Sequence, residues 1–440
     1  MFKGKTVAFY TLGCKLNFSE SSTISRQLNE IGFTKTEFNN GADMFVINTC
    51  SVTENANKEC KRLIRRAKKI SPNSFIVITG CFAQLKPKLI SEIDGVDMVL
   101  GANDKFNLPI LLKDLNNKKS AEIHGCEINN LNYISSFSLS ERTRSFLKIQ
   151  DGCDYPCTYC TIPLARGRSR SGSINNILKN AKKISDSGIK EIVITGVNIG
   201  DFKDNDKRFI DLIKELDKVS GIERFRISSI EPNLITDDII ATVRDSKKFV
   251  PHFHIPLQSG NDRILRKMRR RYRTSLYEEK LKKIKKAIPN VCIGADVIVG
   301  FPGETDALFN SSVNFIKGLP ISYLHVFSYS ERENTLAITF EGVVEKHKRA
   351  ERSKTLRILS NKLQRSYYQK YIGSTQTVLL ETENKNGFLY GFTDNYIKVK
   401  IPFSKDLTQK KINLKLLSFD ENGNILSKIK EDTCIPQSVI

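Results

Sequence analysis

No stretch of this 440-residue chain holds the ~18 consecutive apolar residues that a membrane-spanning helix needs. Residues 1–5 and the strand-like 6–10 lack the long apolar region and small-residue cleavage site of a signal peptide. Both absences point away from a membrane and toward the cytoplasm. Internal repeats and low-complexity segments are also missing, so the chain is not a repeat array. Acidic residues are scarce: 48 Asp and Glu face 70 Lys and Arg, giving a formal charge of +22. The excess is clustered at Lys61, Arg62, Arg65, Arg66, Lys68 and Lys69, then at Arg166, Arg168 and Arg170. It recurs at Arg266, Lys267, Arg269, Arg270, Arg271 and Arg273, and at Lys282, Lys283, Lys285 and Lys286. One such run reads equally well as a solvated helix face. A surplus this large points to a polyanionic partner, most simply a nucleic acid.

What is present is an ordinary soluble composition, with 40% hydrophobic residues and a mean hydropathy of −0.31. The length exceeds what one core supports and implies two or three domains. Residues 1–118 alternate strand-like runs at 7–10, 44–48, 75–79 and 98–100 with helical periodicity at 20–31 and 54–70. That order predicts a parallel α/β sheet. Polar stretches around 116–120 and 129–140 make a plausible linker. A second α/β series over 139–368 has strands at 146–150, 192–195, 225–228, 253–256, 293–299 and 323–327, with helices between them. It predicts a partial or full (β/α) barrel with its chemistry at the C-terminal strand ends. A long charged helix, 344–371, carries a packing stripe of Leu356, Leu359, Leu363, Tyr367 and Tyr371. Over 371–436, alternation at 377–381, 388–391, 396–401 and 412–416 predicts a small β-barrel.

The chain has ten cysteines, which in a reducing compartment suggest metal or redox chemistry and not disulfides. Cys153, Cys157 and Cys160 form a CxxxCxxC loop just after the first strand of the second series. A structural zinc wants four protein ligands, and an electron-transfer [4Fe–4S] cube is normally held by four cysteines. Three thiolates in one loop can hold a cube by three corners and leave one iron for a small molecule. A zinc site completed by His124 or Cys126 is the alternative. Cys14, Cys50 and Cys81 each follow a strand of the first domain, where a parallel sheet brings strand ends to one edge. Gly13 and Gly80 precede two of them and permit close backbone approach. Cys60, Cys126, Cys292 and Cys434 have no such context and read as ordinary cysteines.

The CxxxCxxC loop, with Tyr159 before its last cysteine, is similar to that of radical S-adenosylmethionine (SAM) enzymes. Further motifs are Leu12-Gly13-Cys14-Lys15-Leu16-Asn17, Asn48-Thr49-Cys50-Ser51-Val52-Thr53 and Ala165-Arg166-Gly167-Arg168-Ser169-Arg170-Ser171. To these add His254-Ile255-Pro256-Leu257-Gln258-Ser259-Gly260 and residues 296–305. Taken together and in order, they resemble the radical-SAM methylthiotransferases across nearly the whole chain. Phe18 and Leu164 depart from the residues usual at those positions.

The resemblance implies a C-terminal RNA-binding TRAM domain and two [4Fe–4S] clusters, one on Cys153, Cys157 and Cys160 and one on Cys14, Cys50 and Cys81. It implies that SAM binds the first cluster, with Tyr159, Gly196, Asn198, Ser229, Glu231 and Gln258 around it. The implied reaction puts a methylthio group on carbon 2 of an adenosine beside the tRNA anticodon, at position 37. That carbon has neither a leaving group nor an acidic proton, so the hard step falls to the cofactors. One SAM would methylate the sulfur held by the second cluster, and another would supply a deoxyadenosyl radical. The anticodon stem-loop, an electron donor such as flavodoxin or ferredoxin, and a sulfur donor are the implied partners.

The residues around Cys14 are similar to the branch acting on N6-threonylcarbamoyladenosine, whereas the isopentenyladenosine branch more often shows Gly-Cys-Gln-Met-Asn. Relatives that modify a ribosomal-protein aspartate typically show Gly-Cys-Pro-Lys-Asn. A metal-stabilised RNA-binding protein without catalysis is the non-enzyme alternative. A threonylcarbamoyl group carries a carboxylate, so its pocket needs a cationic or amide partner. Lys15, Asn17, Arg166 and Arg168 are the candidates.

Overall fold

The computed structural model describes residues 2–51, 54–116, 120–128, 131–139 and 143–430, with residues 54–56 as backbone alone. Cys434, and Val52 and Thr53 of the second motif, lie outside the described residues. The first unit is a six-stranded, wholly parallel sheet of β1 (Thr6–Thr11), β2 (Thr34–Thr36), β3 (Met44–Thr49), β4 (Phe75–Gly80), β5 (Met98–Leu100) and β6 (Glu122–His124), in the order β2-β1-β3-β4-β5-β6. Every residue of β3 is buried, because both faces are covered. One face packs under Leu63, Ile64 and Ala67 of α2 (Glu54–Ile70), and the other under Ile24 and Leu28 of α1 (Lys15–Glu30). Helix α1 starts five residues earlier than its apolar pattern suggests. Its polar residues Asn17, Ser19 and Glu20 are buried against the rest of the protein.

The second unit holds β7 (Arg144–Lys148), β8 (Glu191–Thr195), β9 (Arg224–Ile227), β10 (His252–His254), β11 (Cys292–Val299) and β12 (Tyr323–Ser328). They form two parallel three-stranded sheets, β7-β8-β9 and β10-β11-β12. Parallel bridges Phe225–Phe249 and Ser229–His254 join them, and one continuous core lies beneath both. Among the described residues no pairing connects β12 to β7, so the arc is a partial barrel. The charged residues Arg144, Glu191 and Arg224 open β7, β8 and β9, and all three strands therefore begin before their apolar runs do.

Helix Lys346–Gln369 buries Leu356 and Tyr367 of its stripe and leads to a closed barrel. Its strands are β13 (Thr375–Lys385), β14 (Phe388–Thr393), β15 (Lys398–Pro402), β16 (Lys411–Phe419) and β17 (Ile425–Ile429). The last was not anticipated. No helix among the described residues is long and apolar enough to cross a membrane.

Candidate active site

Cys14, Cys50 and Cys81 stand at the C-terminal ends of β1, β3 and β4, which are sheet neighbours paired Thr11 to Asn48 and Thr49 to Gly80. Adjacent strands lie ~4.8 Å apart, so the three thiols share one edge. A Cβ added at Gly13 would lie 3.0 Å from the Cys50 sulfur. Gly80 has φ of +94°, and a Cβ there would meet the Thr49 carbonyl at 2.3 Å. Only glycine fits that approach.

Cys153, Cys157 and Cys160 follow β7 at the matching end of the partial barrel. The helix Ile162–Arg166 that succeeds them packs on the helix Cys81–Leu85, which begins with the third thiol of the other group. The two trios are thus carried on touching elements. Burial pushes the thiols of Cys153 and Cys160 up to about 11 and about 12, so ligation must displace their protons. Arg270 donates to the Cys157 sulfur at 3.2 Å and to the Tyr159 hydroxyl at 3.5 Å.

A buried ion network ties the trios together. Arg166 donates to Glu20 at 2.9 Å, to Asp151 at 3.0 Å and to Asn17 at 2.7 Å. Lys105 donates to Glu20 at 2.6 Å, and Lys148 lies 3.4 Å from Asp151. Burial alone would raise the Glu20 carboxyl, but Arg166, Lys105 and Lys148 outweigh it and hold it down to about 2. Arg170 lies 3.4 Å from Asp151 as well, so four cations face two carboxylates beside Cys14 and Cys81.

A cavity of about 630 Å³ opens between the units. Gly13, Cys14, Lys15 and Phe18 line it from the first unit, Thr195, Gly196, Arg226, Ser229, His254 and Tyr323 from the second, and Tyr396 from the small barrel. A neighbouring cavity of about 260 Å³ is lined by Tyr159, Cys160, Gln258 and Asp296. Phe327 borders both.

Three comparisons bear on this geometry. The chain matches the Radical SAM superfamily over residues 147–316, the uncharacterized protein family UPF0004 over 6–101 and the TRAM domain over 369–413. It is 40% identical to the threonylcarbamoyladenosine tRNA methylthiotransferase MtaB of Bacillus subtilis, covering 97% of each chain. The chain belongs to the radical-SAM methylthiotransferases. It is also 34% identical to the tRNA-2-methylthio-N(6)-dimethylallyladenosine synthase of Clostridium tetani, covering 94% of each chain. Among solved structures it resembles the fold of the radical SAM methyltransferase TsrM from Kitasatospora setae, with a TM-score of 0.54 at 11% identity. That likeness covers 74% of this chain and 75% of that one.

A methylthiotransferase of this family uses SAM and [4Fe–4S] chemistry, and the residues present fit both. Each trio offers soft thiolates. Among the described residues no three His, Cys, Asp or Glu side chains are gathered closely enough to hold a single metal ion. A cube instead spreads its ligands over separate irons. His124 and Cys126, considered above as zinc ligands, belong to the edge of the first sheet, where His124 pairs with Glu122 at 3.2 Å. Asn198, 3% exposed, has both side-chain polar atoms buried without a protein partner, as an uncompensated ligand contact would leave them. Gln258 holds φ of 64°, rare outside glycine, at the wall of the smaller cavity. The sequence-predicted SAM residues therefore divide: Tyr159 and Gln258 line the smaller cavity, and Gly196 and Ser229 the larger. Glu231 accepts from Arg270, the same guanidinium that reaches Cys157.

Two of the four carboxylate-binding candidates are already committed. Arg166 and Asn17 are buried in the ion network, and Asn17 also donates to the Leu12 and Thr49 carbonyls. Neither is free for a substrate. Arg168 is exposed and does not line the cavity, whereas Lys15 does. Arg166 and Arg270, counted above among basic runs, are buried structural cations and no part of a surface for nucleic acid. Sequence reasoning missed the roles of Glu20, Lys105 and Arg270, which look like solvated charges. It also missed His252, His325 and Tyr396. A signal existed for the first: His252 and His254 are two apart on one strand and share a face, leading both to Tyr323.

Proposed function

We propose that this methylthiotransferase modifies tRNA, placing a methylthio group on carbon 2 of N6-threonylcarbamoyladenosine beside the anticodon. One [4Fe–4S] cluster would sit on Cys153, Cys157 and Cys160 and a second on Cys14, Cys50 and Cys81. The observation that carries this reading is that the helix beginning at Cys81 packs on the helix following Cys160, with Cys14 lining the cavity walled by all three units and Cys160 lining its neighbour. Two trios are needed because radical generation and sulfur delivery must converge on one atom. The +22 charge and the TRAM match support an RNA substrate. The threonylcarbamoyl choice is supported by the naming of the Bacillus subtilis relative, against the lower identity to the Clostridium tetani synthase.

Bound here, SAM and the clusters supply one-electron cleavage, the methyl group and the transferable sulfur. The chain's own side chains bind, orient and exclude water. Tyr159 and Gln258 would border SAM beside Cys160, while Asn198 supplies its unpaired amide. Arg270, held by Glu231, orients the Cys157 thiolate through a charge-assisted bond. Phe18, Phe146, Phe327 and Tyr396 give the larger cavity the flat surfaces on which an unstacked base is held in RNA recognition. An electron donor of the flavodoxin or ferredoxin kind and a sulfur donor complete the proposal.

Nucleoside mass spectrometry of tRNA from cells with and without the gene tests it. Loss of the 2-methylthio-N6-threonylcarbamoyl nucleoside with accumulation of its unthiolated precursor is expected. Loss of the isopentenyl derivative instead would overturn the substrate while leaving the enzyme class.

A further inference from the structure

The larger cavity carries an imbalance that the radical chemistry does not use. Three basic side chains line it: Lys15, Arg144 and Arg226. Two are engaged. Arg144 donates to Glu381 at 3.1 Å, and Arg226 donates to Glu191 at 3.0 Å. Lys15 differs. Its side chain is exposed to the cavity, and among the described residues no carboxylate lies within ion-pair distance of it. The nearby Asp296 is taken by His254 at 2.8 Å. Behind Lys15, Arg226 is 3% exposed, and its Nη2 is buried with no hydrogen-bond partner despite the pairing of its Nε. An unpaired guanidinium N–H of this kind costs stability unless something completes it.

The Lys15 ammonium faces the cavity with the Arg226 charge beside it, and a carboxylate is the natural complement of such a cation. The other lining residues cannot supply one. The apolar and aromatic walls are Leu16, Phe18, Phe146, Val193, Phe327 and Tyr396. His252 and His254 are both hydrogen-bonded to the Tyr323 hydroxyl. We infer that Lys15, with Arg226 behind it, reads a carboxylate on the N6 substituent of the target adenosine and so sets which modified base the cavity accepts. This rests on the threonylcarbamoyl substrate proposed above. Lys15 immediately follows Cys14, so the group that reads the substituent is tied to a thiol proposed to ligate the cluster that holds the transferable sulfur.

The test uses the cluster-loaded enzyme and three synthetic anticodon stem-loops, carrying threonylcarbamoyladenosine, its carboxylate methyl ester, or isopentenyladenosine. Wild type should bind the free carboxylate on the order of tenfold or more tighter than the ester, as expected for a charge-assisted pair. Lys15→Gln should bind both within about twofold, the ester serving as an internal reference for folding, and Lys15→Arg should retain most of the preference. A wild type indifferent to esterification, or a Lys15→Gln variant that keeps the preference, would overturn the inference. If wild type modifies the threonylcarbamoyl stem-loop yet ignores esterification, Lys15 alone loses its role. If it modifies only the isopentenyl stem-loop, the proposed substrate fails and this inference with it.

Discussion

Arg166 shows how much one side chain does at the junction of the two cysteine trios. Its guanidinium holds Asn17 and Glu20 of the first unit and Asp151 of the second, all buried. Removing one partner of a buried ion pair costs about 3–5 kcal/mol, because the remaining charge is left uncompensated. Arg166→Gln should therefore lower the melting temperature by several degrees and reduce iron content. Wild-type melting and iron loading in that variant would show that the network is dispensable. The thiols allow a sharper separation. Full loading should give about eight irons per chain, from two four-iron cubes. Replacing Cys153, Cys157 and Cys160 together by Ala should remove half of the iron and all reductive SAM cleavage. Replacing Cys14, Cys50 and Cys81 should remove the other half, spare SAM cleavage and abolish methylthio transfer. Unchanged iron in both triple variants would sink the assignment.

At the scale of elements, the β-barrel is fastened to the partial barrel by the first residues of three strands. Glu191 on β8 is wholly buried between Arg144 on β7 and Arg224 and Arg226 on β9. Arg224 also donates to the carbonyls of Thr377 and Phe392, and Arg144 stacks 4.8 Å from the Phe392 ring centroid. Burial would raise the Glu191 carboxyl, but Arg226, Arg144 and Arg224 overcome it and hold it down to about 2. An unfolded glutamate titrates near ~4.3. The contribution of this carboxylate is thus complete above that value and is lost as pH falls from about 4.3 through about 2. Its size is roughly 3 kcal/mol at neutral pH. Glu191→Gln should melt lower at pH 7 and lose part of the stability change that wild type shows over that acid window. Identical acid profiles for the two proteins would contradict the fastening role.

Over the whole molecule, the net charge of +22 is not spread evenly once buried cations are set aside. Lys61, Arg62, Arg65 and Lys69 are exposed on α2, and Lys282, Lys283 and Lys286 on the helix Thr274–Ala287. On the small barrel, exposed Lys415 and Lys428 face each other directly across β16 and β17. Like charges so placed repel unless an anion joins them. tRNA affinity should fall steeply with salt, and Lys415→Glu with Lys428→Glu should weaken binding and flatten the log–log slope by ~1–2. An unchanged slope would remove this face from the RNA path. Deleting the barrel outright would be a poor test, since it strips the partners of Arg224 and takes Tyr396 out of the cavity wall.

The sequence by itself determined the three-part architecture, because hydrophobic periodicity and strand–helix alternation are local properties. The cysteine spacing was equally legible: 153, 157 and 160 are close in the chain, and 14, 50 and 81 follow strands that parallel topology brings to one edge. Strand starts at Arg144 and Arg224 were not legible, since a charged residue reads as loop until its partner is known, and Glu191 is 47 residues from one and 33 from the other. The same reason hid Glu20, whose burial depends on Arg166, 146 residues away. Of the four residues that could hold a carboxylate, local chemistry ranked none. Only tertiary packing, by spending Arg166 and Asn17 on internal partners and leaving Lys15 facing the cavity, decided among them, because whether a charge is free depends on what the fold places beside it.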